Sequence, residues 1–458
     1  MSKPAPKRTA KPAVKAAQAA IPQFTGLVTR KMVKAGIWTV RHSRLLPKSI
    51  PDGRGDERQL AKTQSDAQVM VFFADTVVGL YQIRPWYQAL RELDRVHPVV
   101  VIGTDSRAVK AIRAESGLRA YTITHYSTVD GLIQRWPLRL ALYCNHNAPN
   151  FSILSFPQLV HVSIMHGDSD KIVSISGQTK AYDFTFVPGQ AAIDRLAAYL
   201  PLFDAASRCI AIGRPQVAGP AATQDPQDGR RTVLYAPTWE GGTATAAYSS
   251  LEAYGPRLVR ALLDDPRFRL LYRPHPLTGT RLSRFGDLNQ HLRGLVEDAA
   301  AALPQAGHRV SLGGPAMADL WQADLLVSDV GSLAIDYLVT GRPLAITVPT
   351  DPAAVVAPTK LLAVAPRLEL DQLDSVGDYL GGLFDNQTVA AALAGVAEYY
   401  LGDLTPGAAT SNFIAACGRM IELCEANRAE VASRLAAASA PASAEAQVPG
   451  ADRTEVEP

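Results

Sequence analysis

Four short stretches of this chain gather side chains able to handle phosphate and protons: His166-Gly167-Asp168-Ser169-Asp170-Lys171, Tyr235-Ala236-Pro237-Thr238-Trp239, Arg273-Pro274-His275-Pro276, and Ser328-Asp329-Val330-Gly331-Ser332 running on to Asp336. An imidazole with an ordinary pKa of about 6.5 accepts a hydroxyl proton near neutral pH, which makes His166 the general-base candidate. Gly167 beside it lets a ligand or a second backbone come close. Arg273 and His275 flank Pro274 on an extended segment, where alternation puts both on one side. Together they could address one anion, the guanidinium as a fork and a protonated His275 as neutraliser of charge on a leaving phosphate. Gly331 and Ser332 open an apolar segment, 333–340, expected as a buried helix whose N-terminus draws phosphate; the alternative is that Ser332 is a plain N-cap. Asp336 falls one turn deeper on the same face and, once buried, needs a partner, either a ribose hydroxyl or a neighbouring Arg. A structural or nucleotide-ordering role is expected for it rather than a catalytic one. Thr238 either donates its hydroxyl to a phosphate or packs the cleft wall with Tyr235 and Trp239. Lys171 either attracts an anionic substrate or is a surface lysine. Asp168 and Asp170, two carboxylates in one loop, are weak evidence for a metal; no metal site and no cofactor are expected.

Each of these stretches follows a short apolar run that reads as a strand. Runs at 69–74, 98–103, 138–143, 159–165, 184–187 and 209–212 make one series, and runs at 232–236, 268–272, 308–312, 324–328 and 343–348 a second, with segments of helical period between them. Strands alternating with helices specify α/β architecture with parallel sheets. The expected fold class is two Rossmann-like, doubly wound parallel-sheet domains facing across a cleft, with ligands beyond the carboxyl ends of the strands. The expected division is a disordered basic tail at 1–22, a basic segment at 23–64, a first Rossmann-like domain at 65–217, a second with C-terminal helices at 218–428, and a disordered tail at 429–458.

With 458 residues, 47% of them hydrophobic and 19% charged, the chain is long enough for two cores. Eleven basic residues and no acidic one occupy positions 1–48, whereas the formal charge of the whole chain is only +3, so a mildly acidic body carries a basic arm. That arm could lie on an anionic membrane surface; specific nucleic-acid binding is not expected from so balanced a body. Four cysteines without a CxxC pair argue against a disulfide framework and a structural zinc site. The Ala-rich run at 16–21 is too short and weakly apolar for a signal-peptide core, and no stretch of about 18 apolar residues occurs. A cytoplasmic protein is expected, peripheral on the inner face of the membrane if the arm binds there.

In this order and at these separations the four stretches resemble the CDP-glycerol glycerophosphotransferase family, which builds teichoic-acid-type poly(glycerol phosphate). That family's pattern has His-Gly with Lys four residues after the Gly, aromatic-x-Pro-Thr-aromatic, Arg-x-His-Pro, and Ser-Asp-x-x-Ser-x-x-x-Asp, and this chain supplies each across roughly residues 160–350. Gly331-Ser332 stands where many members have Ser-Ser, and Gly213-Arg214-Pro215 fits the domain junction. The resemblance implies the two-domain arrangement called GT-B, nucleotide on the second domain and acceptor on the first. It further implies CDP-glycerol or a similar donor, a lipid-linked polyol-phosphate acceptor, attack of a terminal hydroxyl on the β-phosphorus, and release of CMP. His166 would be the base and His275 the second catalytic residue, with Arg273, His275 and Ser332 holding the diphosphate and Gly167, Lys171, Thr238, Gly331 and Asp336 among the other substrate- or nucleotide-binding residues. The alternatives are a glycosyltransferase of the same fold using a nucleotide-sugar, and a non-catalytic module binding nucleotide or polyanion at the membrane. The enzymatic reading requires that two imidazoles from separate domains share one gap.

Overall fold

The computed structural model describes residues 46–170, 175–217, 228–314 and 316–439. The basic arm up to residue 45, Lys171, most of the linker after Val217 and the last 19 residues lie outside them.

Residues Val69–Phe73 (β1), Val99–Gly103 (β2), Arg119–Thr122 (β3), Leu140–Tyr143 (β4), Val160–Ser163 (β5), Phe184–Val187 (β6) and Cys209–Ala211 (β7) form an all-parallel sheet in the order β3-β2-β1-β4-β5-β6-β7. β1, β2, β4 and β5 are buried along their whole length. Continuous apolar runs are what a strand covered on both faces needs. Alternation then divides β1 between two cores: Val69, Val71 and Phe73 face one, Met70 and Phe72 the other.

The second sheet repeats the plan with Arg231–Ala236 (β8), Phe268–Tyr272 (β9), Arg309–Val310 (β10), Leu325–Ser328 (β11), Leu344–Thr347 (β12) and Arg367–Leu368 (β13), in the order β10-β9-β8-β11-β12-β13. Its pairs are likewise parallel. The strand order reverses direction between β1 and β4 in the first sheet and between β8 and β11 in the second. Such switch points open the crevices where doubly wound folds take their ligands.

The two domains of the expected fold class are present, and β3 and β13 are added to the strands read from sequence. β3 escaped because it is short and only half buried, Arg119 and Tyr121 being part-exposed; β13 is two residues long. The last helix corrects the expected division. Ala408–Ser439 returns to the first domain, where Phe413, Ala416, Cys417, Met420, Ile421 and Cys424 enter the core beside β4 and β5. Residues 429–439, expected as disordered tail, are its final, exposed turns. All four cysteines are free and buried, and no helix among the described residues is long and apolar enough to cross a membrane.

Candidate active site

His166 lies three residues beyond β5, and the backbone that delivers it is unusual. Met165 takes φ +51°, a left-handed conformation that side chains other than Gly and Asn adopt at a cost. The buried Trp86 indole N–H donates to the Met165 carbonyl at 2.6 Å and holds the turn. The imidazole Nδ1 of His166 stands 3.1 Å from the Cys144 carbonyl at the end of β4. A carbonyl can only accept, so Nδ1 carries the proton and Nε2 keeps its lone pair. Burial pushes the pKa of His166 below its ordinary value; the Cys144 bond works against this, and the charge of Arg214 adds to it. Neutral, with the basic nitrogen turned away from the backbone, the ring has the form a general base requires.

The second imidazole is set in the opposite tautomer. His275, three residues beyond β9, accepts the Leu277 N–H on Nδ1 at 3.1 Å, which leaves Nε2 to carry its proton. Trp239 stacks on it with centroids 6.3 Å apart and planes 21° apart. Both histidines meet one ring of the first domain. Tyr81 makes an edge contact with His166 at 5.6 Å and with His275 at 6.3 Å. The imidazoles of the two domains are therefore bridged by one phenol ring. Tyr81 lies in Leu80–Ile83, the single helical turn after β1, whose Leu80 and Ile83 are buried and turn Tyr81 and Gln82 outward. Gln82 donates to the Tyr81 hydroxyl at 3.3 Å and accepts from Asn145 Nδ2 at 2.6 Å. Sequence reading passed over Tyr81, because a ring that acts by packing leaves no motif; its one signal is its place after β1, at the switch point.

Gly167 brings the domains together. A Cβ built there would stand 3.4 Å from both Cβ and Oγ of Ser332, so the first domain's His-Gly turn abuts the second domain's Gly-Ser turn. The helix after that turn is shorter than expected: Ser332–Tyr337 is α-helical and Leu338–Thr340 is a 3-10 turn. It is buried as expected through Ala334, Ile335, Asp336, Tyr337 and Leu338. Gly331 is the cap residue, fully extended at φ −175°, and Ser332 is the first helical residue, which disposes of the N-cap role for its hydroxyl.

One expected phosphate ligand is engaged elsewhere. Arg273 was placed with His275 on one anion, but its guanidinium pairs with Asp319 at 2.5 Å and donates to Ser311 at 3.1 Å and to the Gly313 and Gly314 carbonyls at 3.4 and 2.9 Å. It shapes the loop after β10. Of the two partners expected for Asp336, a ribose hydroxyl or a neighbouring Arg, the structure supplies the second: it accepts a two-pronged bond from Arg214, Nε to Oδ1 at 2.7 Å and Nη2 to Oδ2 at 3.1 Å, both residues buried. The neighbouring Arg is its partner, and the pair clasps the domain junction to the second domain.

Thr238 is held by its backbone N–H, which donates to Asp329 at 2.6 Å, while its carbonyl accepts from Ser249 at 2.8 Å. Asp329, fully buried, also accepts from the Ser250 N–H at 3.2 Å and the Thr347 hydroxyl at 2.7 Å. Burial pushes its pKa up, opposed by these bonds. The Ser-Asp motif thus pins the Pro-Thr-Trp turn to the end of β11. Glu240 does the same beside His275, accepting the backbone N–H groups of Gly279, Arg281 and Leu282 at 2.9 to 3.0 Å. Asp168 and Asp170 both pair with Arg195, and Tyr400 donates to Asp170 at 2.7 Å. Among the described residues no group of three or more metal-ligating side chains gathers. Lys171 falls outside the described residues.

Residues 222–351 match the family model described as CDP-glycerol:poly(glycerophosphate) glycerophosphotransferase. Over that segment the chain is glycerophosphotransferase-like. The match takes in Thr238, Arg273, His275, Gly331, Ser332 and Asp336 and stops short of His166, Gly167 and Lys171. No protein of curated function matches the chain by sequence. Among solved structures, the wall teichoic acid polymerase TagF is 12% identical with a TM-score of 0.52, covering 86% of this chain and 96% of that one. A TagF variant soaked with CDPG gives 12% identity and a TM-score of 0.50 over the same shares. A glycosyltransferase from Rickettsia africae ESF-5 is 10% identical with a TM-score of 0.50, covering 78% of this chain and 99% of that one. At such identities the likeness is one of fold, the GT-B arrangement of two facing parallel-sheet domains.

Proposed function

We propose that the protein transfers glycerol phosphate, or a related polyol phosphate, from CDP-glycerol to a hydroxyl of a lipid-linked or polymeric glycerol-phosphate acceptor. In this reading it serves synthesis of a teichoic-acid-like polymer. The observation that carries the reading is the tautomer pair: an unprotonated Nε2 on His166 and a protonated Nε2 on His275, both against Tyr81. The acceptor oxygen attacks the β-phosphorus, its proton passes to His166 Nε2, and the bond to the bridging oxygen breaks as CMP departs. His275 donates to the oxygens that gain charge. The Gly331-Ser332 turn, against which Gly167 packs so closely that a Cβ built there would stand 3.4 Å from Ser332, supplies donors to the diphosphate. Tight contact of the two domains favours transfer by fixing both substrates in line. The family match over the second domain supports the donor class. The basic arm at 1–48 keeps the enzyme at an anionic inner membrane face, where a lipid-linked acceptor is presented.

The test is incubation of the full chain with CDP-glycerol, CDP-ribitol or UDP-sugars, each with and without a short lipid glycerol-phosphate acceptor, while CMP and UDP are measured. CMP released from CDP-glycerol only with acceptor, and reduced at least about 100-fold by His166→Ala and by His275→Ala, is the expected result. Nucleotide release confined to UDP-sugars would move the protein to the sugar transferases, and no turnover with any donor would leave a binding module.

A further inference from the structure

The Tyr81 ring has no part in the chemistry just described, yet it is the one side chain described as making ring contacts to both imidazoles. Its location is built rather than incidental. The Thr76 hydroxyl caps the turn leading to it, Leu80 and Ile83 anchor its helical turn in the core, and the Asn145 amide fixes Gln82, which donates to the phenol oxygen. Asn145 stands at the end of β4, so the relay runs across the switch point of the first domain. A transferase with a water-accessible base has a competing reaction, since water can replace the acceptor hydroxyl and yield free glycerol phosphate and CMP.

Resting on the proposed function, we propose that Tyr81 is a positioning residue that selects the acceptor hydroxyl over water by closing the space between the His166 and His275 rings. In transfer, the acceptor oxygen bonds to phosphorus, the bond to CMP breaks and the proton goes to His166. In hydrolysis, the water oxygen takes the acceptor's place with the same fate for proton and leaving group. A ring against both imidazoles leaves room for a substrate held by contacts beyond its hydroxyl and little for unanchored water. Burial pushes the phenol pKa up, so Tyr81 stays uncharged through neutral pH and adds no repulsion to an anionic substrate. His166 faces Tyr81 and the Cys144 carbonyl, and the charge of Arg214 and the imidazole of His146, whose pKa burial pushes down to about 4, act on it; of these Tyr81 is the side chain that also meets the His275 ring.

The experiment compares wild type, Tyr81→Phe, Tyr81→Leu and Tyr81→Ala, with CMP and free glycerol phosphate measured with and without acceptor. Tyr81→Ala is expected to raise the ratio of hydrolysis to transfer at least about tenfold while transfer itself falls roughly 10- to 100-fold. Tyr81→Phe, which keeps the ring, restores transfer to within about threefold and Tyr81→Leu falls between. Transfer and hydrolysis falling together in Tyr81→Ala, or neither changing, would overturn the proposal. A second readout does not depend on the donor: imidazole NMR with labelled histidine, His166 assigned from its Gln variant. There Tyr81→Ala moves the His166 pKa up toward about 6.5 and Tyr81→Phe leaves it in place. An unmoved His166 in folded Tyr81→Ala refutes the shielding role even if CDP-glycerol proves to be the wrong donor, whereas a shifted pKa with no CMP release by wild type refutes the donor alone.

Discussion

Replacing Asp336 by alanine leaves the Arg214 guanidinium buried without the carboxylate that now takes two of its N–H groups, at 2.7 and 3.1 Å. Removing one partner of a buried pair costs about 3–5 kcal/mol, because the remaining charge loses its compensation while staying out of water. Two features of the site put the expected loss at the lower end, about 3 kcal/mol. Arg214 also feels the Asp168 carboxylate, and the Gln216 side-chain oxygen, in its better-bonded orientation, accepts from Arg214 Nη1 at 3.3 Å. The counterpart, Arg214→Met, removes the cation and leaves Asp336 alone, with a similar cost. If the two residues act as one clasp, the double variant loses little more than either single one, which is a coupling energy of about 2–3 kcal/mol. Urea unfolding followed by circular dichroism reads the stabilities, and calorimetric titration with CDP-glycerol reads donor binding for each variant. Equal stability of wild type and Asp336→Ala, together with a donor affinity lost in that variant and kept in Arg214→Met, would refute the clasp. It would return Asp336 to the nucleotide.

The pH dependence of kcat/KM follows from the direction of the His166 shift. Its folded pKa lies below the ordinary value of about 6.5, so Nε2 is unprotonated at neutral pH, and the acid limb of the profile falls only below about 6.5. The same shift makes His166 a source of acid instability: the unfolded chain binds the proton first, so the stability it contributes is lost as pH drops from the unfolded value toward the folded one. A profile already half lost at pH 7.5 would contradict this, and stopped assays between pH 5 and 8 decide. At Met165 the left-handed backbone predicts a reversal of the usual order of small residues. Met165→Gly should be more stable than Met165→Ala by about 1 kcal/mol, since only glycine adopts φ +51° freely, and urea midpoints compare them directly.

The architecture was legible because central parallel strands are apolar on both faces. Runs such as Val69–Phe73 and Leu325–Ser328 stand out of the sequence wherever a sheet is covered on two sides, and the polar residues just beyond them mark the strand ends. That logic located His166, His275 and Ser332 at one cleft. It failed where the partner of a side chain is far away along the chain. Arg214 lies 122 residues from Asp336, and no local pattern says which of many arginines will reach it. Strand alternation pairs Arg273 with His275, yet Asp319, 46 residues further along the chain, claims the guanidinium. Tyr81 escaped for another reason. Phosphate chemistry selects Arg, His, Ser and Gly in recognisable spacings, whereas shielding a reaction centre needs only an apolar surface of the right size at the right place. That place follows from sheet order: with β1 beside β4, the turn after β1 must pass over the crevice that the end of β4 opens, and Tyr81 is the residue there whose neighbours Leu80 and Ile83 commit it to the cleft side. Residues of this kind become visible only once topology is known, which makes the first turn after the central strand the place to look for them in other chains of the same strand order.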